Sequence, residues 1–433
     1  MTPLSRLLLL LATAAGCAAP APREAPASSP GVTAAPVHDD FAHALARADA
    51  AVQRRSEEAA SHRSWKREAA LAAAYITRAD LRGSIEDYLA AERHLAESFA
   101  LSRGGGPHLL RARLSLRLHR VAQAQRDLDA LSRYAALSPE DEHTRAALLG
   151  DVALQQGRVA EAGQIFERLL AQQRDPADLA RLASQRALLG RDEEADALLL
   201  EALASTTDAQ TGAWLELQRG LLALGRGALD QAQARYDAAD QRFGGWWHVD
   251  EHRAELDARQ GRIDRARERY LDVIARTDDP DFMDALAELL AQREPEAAAQ
   301  WHARARAGWR ERLARLPEAA YGHALSHFLH ADDGAAQALQ LAQANLALRP
   351  GPEAELQLAL AQAKAGARDE ARSAITRLLQ QEAPGAAVHG AAAVLFASDR
   401  PEFAAQQAAI AAARDPAIGS ELAWLRQALD AGA

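Results

Sequence analysis

The chain has 433 residues, a formal net charge of −10, 5% aromatic residues and one cysteine. A single cysteine excludes an internal disulfide, and an acidic balance without a basic stripe or aromatic platform argues against a nucleic-acid partner. The 48 arginines far outnumber the lysines, Lys66 and Lys364, and interleave with Asp and Glu as on a solvated, self-paired surface.

Residues 1–16 are predicted to be a signal peptide. Arg6 precedes the apolar run Leu7–Leu11, and small residues follow to Gly16, a stretch too short to span a bilayer. Ala14-Ala15-Gly16-Cys17 resembles a bacterial lipobox, although Ala14 stands where that family usually has Leu. The resemblance implies cleavage before Cys17 and its acylation. With Ala18 next, it also implies anchoring at the periplasmic side of the outer membrane; the alternative is an ordinary signal and a soluble periplasmic protein. Removing Arg6 with the signal takes the net charge to −11. Residues 17–38 continue as a Pro/Ala-rich tether carrying Pro20, Pro22, Pro26, Pro30 and Pro36, a composition that cannot bury enough surface to fold.

From residue 39 onward the pattern is helical, rich in Ala, Leu, Arg, Glu and Gln and without strand-like alternation. Residues 39–71 read as an N-terminal helical cap. A cadence then sets in: Gly, Ala five positions on, and an apolar residue four further. It occurs at Gly157/Ala162/Phe166, Gly190/Ala195/Leu199, Gly227/Ala232/Tyr236, Gly261/Ala266/Tyr270 and Gly366/Ala371/Ile375. Degenerate copies lie at Ala124/Leu128, Ala338/Ala342 and Ala405/Ala409.

This period near 34 residues resembles the tetratricopeptide repeat, a helix–turn–helix unit. The resemblance implies an all-α fold: an α-solenoid, a right-handed superhelix of about ten units over residues 72–419, closed by a capping helix over 420–433. The Gly would turn the chain between the two helices. The Ala would sit where the helices cross most closely, and the apolar residue would fill the seam to the next unit. Gly150, Ala183, Gly220 and Ala254 occupy another position that wants a small residue. Pro139, Pro176, Pro280, Pro350, Pro384 and Pro416 are expected to stop helices at unit ends. The unit 281–318 is irregular, with a longer second helix carrying Trp301 and Trp309.

In tetratricopeptide proteins the first helix of each unit lines a concave groove. That register places Trp214, Leu217 and Leu221 on the groove, then His248, Glu251 and Glu255, then Phe282 and Leu289, then His323, His327 and His330, then Leu356. Trp247 lies beside them. Apolar ends thus flank a His/Glu centre, and six of the fourteen histidines fall between 248 and 330. The strings Gly244-Gly245-Trp246-Trp247 and Gly322-His323-Ala324-Leu325 also resemble uncharacterised exported tetratricopeptide proteins, a likeness that implies no activity.

His248-Val249-Asp250-Glu251-His252 matches the H-x-x-E-H string of inverted zinc peptidases. The mixed α/β surroundings of that family are absent from the pattern, which speaks against peptidase activity. His248, His252, His323 and His327 remain candidate metal ligands, in two groups too far apart to share an ion. Lys and Asn pairs of the kind that clamp peptide C-termini in chaperone-binding repeats are absent from the groove positions. The sequence therefore predicts a non-enzymatic scaffold without a cofactor, binding a protein or peptide in the bacterial envelope and held to the membrane by a lipid; the alternative is a periplasmic metal-handling protein.

Overall fold

The computed structural model describes residues 40–102, 105–134, 137–381 and 384–431. Cys17, the signal and the tether lie outside them. Regular structure among the described residues is all helical, and no helix there is long and apolar enough to cross a membrane. A lone helix, α1 (Phe41–Ser61), comes first. The first hairpins are α2 (Trp65–Arg82) with α3 (Ile85–Leu101), α4 (His108–Arg117) with α5 (Val121–Leu131), and α6 (Pro139–Gln155) with α7 (Val159–Gln172). Next come α8 (Pro176–Leu188) with α9 (Asp192–Ser205), α10 (Ala209–Gly225) with α11 (Leu229–Arg242), and α12 (Trp247–Arg259) with α13 (Ile263–Thr277). Then follow α14 (Pro280–Leu290) with α15 (Pro295–Arg315), α16 (Pro317–His330) with α17 (Ala335–Leu348), α18 (Pro352–Lys364) with α19 (Arg368–Leu378), and α20 (Ala386–Leu395) with α21 (Pro401–Arg414). Short α22 (Ile418–Glu421) and α23 (Ala423–Ala431) close the chain.

Local chemistry sets these boundaries. First helices commonly start on a side-chain cap: Ser64, Ser138, Asp175, Asp208 and Asp279 each accept a backbone N–H of the opening turn. Pro139, Pro176 and Pro280 are therefore not stops. They occupy the opening turn of the next unit, where the missing N–H costs nothing. The five cadence glycines all turn the chain at φ between 70° and 86°. In the Gly-less copy before Ala124, His119 takes that left-handed place at φ 56°.

Ala162, Ala195, Ala232, Ala266 and Ala371 are fully buried at the helix crossings. The apolar residue four further on fills the seam to the next unit, as Tyr236 does by stacking on His252 of α12 at 5.9 Å, and it packs on its own unit as well. A Cβ on Gly150 would overlap the Phe166 ring, and one on Gly220 the Tyr236 ring, so these rings lie over their own unit's first helix. The last copy is out of register: Ala404, Gln407 and Ala411 face inward, whereas Ala405 and Ala409 are exposed. The expected boundary between cap and repeats at 71/72 falls inside α2, which packs on both α1 and α3.

The solenoid coils tightly enough for successive turns to touch. Trp247 Nε1 donates to the Leu81 carbonyl at 2.6 Å, and Arg315 makes two bonds to Glu86 at 2.5 and 2.8 Å. Leu316 joins Ala72, Ile76, Leu95 and Leu118 in one apolar cluster. Further along, Arg349 Nη1 lies 3.3 Å from His119 Nε2, Gly157 abuts the Pro350 carbonyl, and Arg259 faces Asp415 at 3.6 Å. The ties join units four to six apart.

Candidate functional site

The face expected to be an open groove is largely core. Trp214, Leu217, Leu221, His248, Glu251, Glu255, Phe282, His327 and Leu356 are all buried, while Trp247, Leu289, His323 and His330 are half-buried. The cause is the coiling. Ala44 and Ala48 of α1 and Leu81 of α2 share an apolar cluster with Trp214, Phe243 and Trp246. At the other end, α23 packs on α18 and Trp424 stacks edge-on against His330 at 5.3 Å. The chain's first helices thus cover Trp214, its last helices join the cluster of Phe282 and Leu356, and Leu217 packs within its own and the next unit. Trp214, Leu217, Leu221, Phe282 and Leu356 are corrected accordingly from partner anchors to core residues.

The His/Glu centre is real but enclosed. Helical spacing brings His248, Glu251, His252 and Glu255 onto one face of α12. His252 Nε2 lies 2.9 Å from Glu251 Oε1, and its Nδ1 lies 3.8 Å from Glu255 Oε2. Arg259 Nε approaches Glu255 Oε1 at 3.4 Å. His248 Nδ1 stands 3.8 Å from Glu251 Oε1, and the two imidazoles are 5.3 Å apart. Burial, reinforced by the neighbouring His252, pushes the His248 imidazole down to about 3, so it stays neutral. Burial opposes charge on His252 too, but Glu251 and Glu255 outweigh it and raise that ring to about 9.

The second histidine group is a wall of directed hydrogen bonds. His323 Nδ1 pairs with Asp281 at 2.9 Å, and His330 Nδ1 with the Ser326 carbonyl at 2.7 Å. His327 Nδ1 reaches Asp284 Oδ1 at 2.8 Å, where His302 Nδ1 also arrives at 3.1 Å; Trp309 Nε1 donates to the other oxygen at 2.8 Å. Burial alone would raise the Asp284 carboxyl, but these bonds win and hold it below its ordinary value. The candidate ligands His323 and His327 therefore have separate partners; His327 clusters instead with Asp284 and His302. Neither Asp284 nor His302 carried a sequence signal, because they meet across the two helices of the irregular hairpin.

An open cleft of about 630 Å³ lies elsewhere, where α3, α4 and α5 face the start of α16 and the end of α17. Leu95, Leu114, Leu118 and Leu348 supply apolar lining, and Arg93, Arg111, Arg120 and Arg126 stand around it with Glu92 and Glu318. Arg120 bonds to Glu92 and lies 3.3 Å from Glu318, bridging two turns of the coil. Arg111 is bound to Asp127. Exposed Arg93 makes no hydrogen bond or ion pair among the described residues, and Arg126 holds only the Gln123 amide oxygen at 2.7 Å. No repeat register pointed here, because the lining comes from units that are distant in sequence.

No protein-family model matches the sequence, and a search of curated proteins finds no match. Solved structures do align. A tetratricopeptide repeat protein from Parabacteroides merdae shares 17% identity over 59% of this chain and 97% of its own, with a TM-score of 0.37. The Rap conjugation gene regulator of plasmid pLS20, solved with the Phr* peptide, shares 12% over 78% of this chain and 94% of its own, at 0.43. A chain of the APC/C hetero-tetramer Cut9–Hcn1 shares 15% over 83% of this chain and 76% of its own, at 0.41. What decides the architecture is internal: hairpins repeating near 34 residues, left-handed Gly turns and buried Ala crossings. The fold is a tetratricopeptide-type α-solenoid. In this solenoid the face formed by the first helices is filled, and an open cleft lies between turns.

Proposed function

We propose that this tetratricopeptide solenoid is a binding scaffold without catalysis, and that it holds a segment of another protein in the cleft between α3–α5 and α16–α17. The supporting observation is the pairing of an apolar lining with Arg93 and Arg126, two exposed cations that hold no carboxylate among the described residues. A peptide carrying an aliphatic side chain beside an acidic residue matches both features. The remaining acidic surface of the chain disfavours other anions, so the cleft also supplies selectivity. Synthetic peptides with a leucine flanked by Glu should bind more tightly than the same peptides flanked by Lys. Arg93→Glu combined with Arg126→Glu should weaken the acidic peptides about tenfold, since exposed charge pairs contribute up to about 1 kcal/mol each. Both side chains are exposed, so helicity should be retained. Unchanged affinity in the double variant rejects the cleft as the site.

The same reading places the scaffold in the bacterial envelope, carried on an acylated Cys17 and the Pro/Ala-rich tether. It rests on the sequence of residues 1–38. Cys17→Ser should shift the protein from the membrane fraction to the soluble periplasm without altering its melting curve. Membrane fractionation that is the same for both forms removes the anchor from the proposal.

A further inference from the structure

The His/Glu centre of α12 has no part in the cleft, yet its geometry is unusual for a structural network. His248 is 8% exposed, Glu251 1% and His252 0%. Even so, His248 Nδ1 and Glu251 Oε2 have no hydrogen-bond partner among the described residues. A buried polar atom left without a partner carries the full cost of its lost hydration.

We propose that His248 Nδ1, Glu251 Oε1 and His252 Nε2 form a binding site for one divalent ion of the zinc class. One ligand atom from each of these residues lies within 4.8 Å of the others. The distances to Glu251 Oε1, 2.9 Å from His252 and 3.8 Å from His248, bracket the about 3.3 Å separating neighbouring ligands in a tetrahedron with Zn–N near 2.0–2.1 Å. The donor set, two imidazoles and a carboxylate, suits zinc, cobalt or nickel rather than calcium or magnesium. Glu255 Oε2 stands 3.8 Å from the other nitrogen of His252, and a shift of about 1 Å would let it accept that N–H and fix the tautomer once the ring binds metal. Glu251 is a ligand in this arrangement and not a base. Because α12 also carries Trp247 and Arg259, the ion would sit at the crossing between the N-terminal turn and Asp415. The site does not depend on what the cleft binds.

The test uses tag-free mature protein stripped with a chelator and titrated with Co²⁺, then Zn²⁺. One Co²⁺ per chain with a visible d–d band typical of four or five ligands is the expected result, together with a metal-dependent rise in melting temperature. His248→Gln should lower the affinity at least tenfold, whereas His327→Gln should leave it unchanged. Absence of stoichiometric uptake, uptake indifferent to His248→Gln, or uptake lost in His327→Gln overturns the assignment. Should His248→Gln not fold, imidazole C2–H exchange in the wild-type protein decides. Zinc must slow it at His248 and His252; exchange that zinc leaves unchanged at both rings also overturns the site.

Discussion

Gly157→Val should destabilise the protein by roughly 2–6 kcal/mol, whereas Gly261→Val should cost only about 1–3 kcal/mol. Both glycines turn the chain with φ near 75°, a conformation that strains a β-branched residue. Their surroundings differ. A Cβ on Gly261 would meet nothing within 4 Å, while one on Gly157 would overlap the Pro350 carbonyl oxygen, backbone that cannot swing aside. The difference between the two variants in a urea titration therefore isolates the contact between successive turns from the strain of the turn itself. Equal losses would mean that the coil is open in solution.

Trp247→Ala should cost about 3 kcal/mol, toward the low end for deleting a large aromatic because the ring is half-buried. Leu81 lies in the last turn of α2, where backbone carbonyls have no intrahelical donor, and the Trp247 indole supplies one. The ring also lies under Gly83, 3.2 Å from where a Cβ would stand. Trp247→Phe keeps much of the bulk and loses the hydrogen bond, so it should cost only about 1 kcal/mol. Small-angle scattering should show the Ala variant expanded, as the first hairpin lets go of α12. A stable Ala variant of unchanged dimensions would show that this docking contributes nothing.

The repeat was legible because its demands are local. A left-handed turn wants Gly, a close crossing wants Ala, and both recur at the hairpin's own period, as at Gly227 and Ala232. The filling of the concave face was not legible, because it depends on partners without any period. Nothing in Leu81 announces Trp247, and nothing in Trp424 announces His330. The register did place His248, Glu251 and His252 on one face, since helical spacing alone ensures that; what it could not say is that α1 and α2 would press on the same surface. The cleft escaped for a related reason: Leu95 and Leu348 become neighbours only through the pitch of the coil.

The ties between turns set a clock for biogenesis. The Leu81 carbonyl is made 166 residues before the indole that satisfies it, and Glu86 precedes Arg315 by 229 residues. At about 5–20 residues per second, the first hairpin waits roughly 8–33 s after its synthesis for α12, and longer for α15. Through that interval Ala72, Leu95 and Leu118 lack the Leu316 that completes their cluster. A repeat protein whose units touch only neighbours can settle as it emerges. Here the earliest residues must be kept from aggregating until the latest arrive, so folding speed is governed by the length of chain between partners and not by the quick closure of each hairpin.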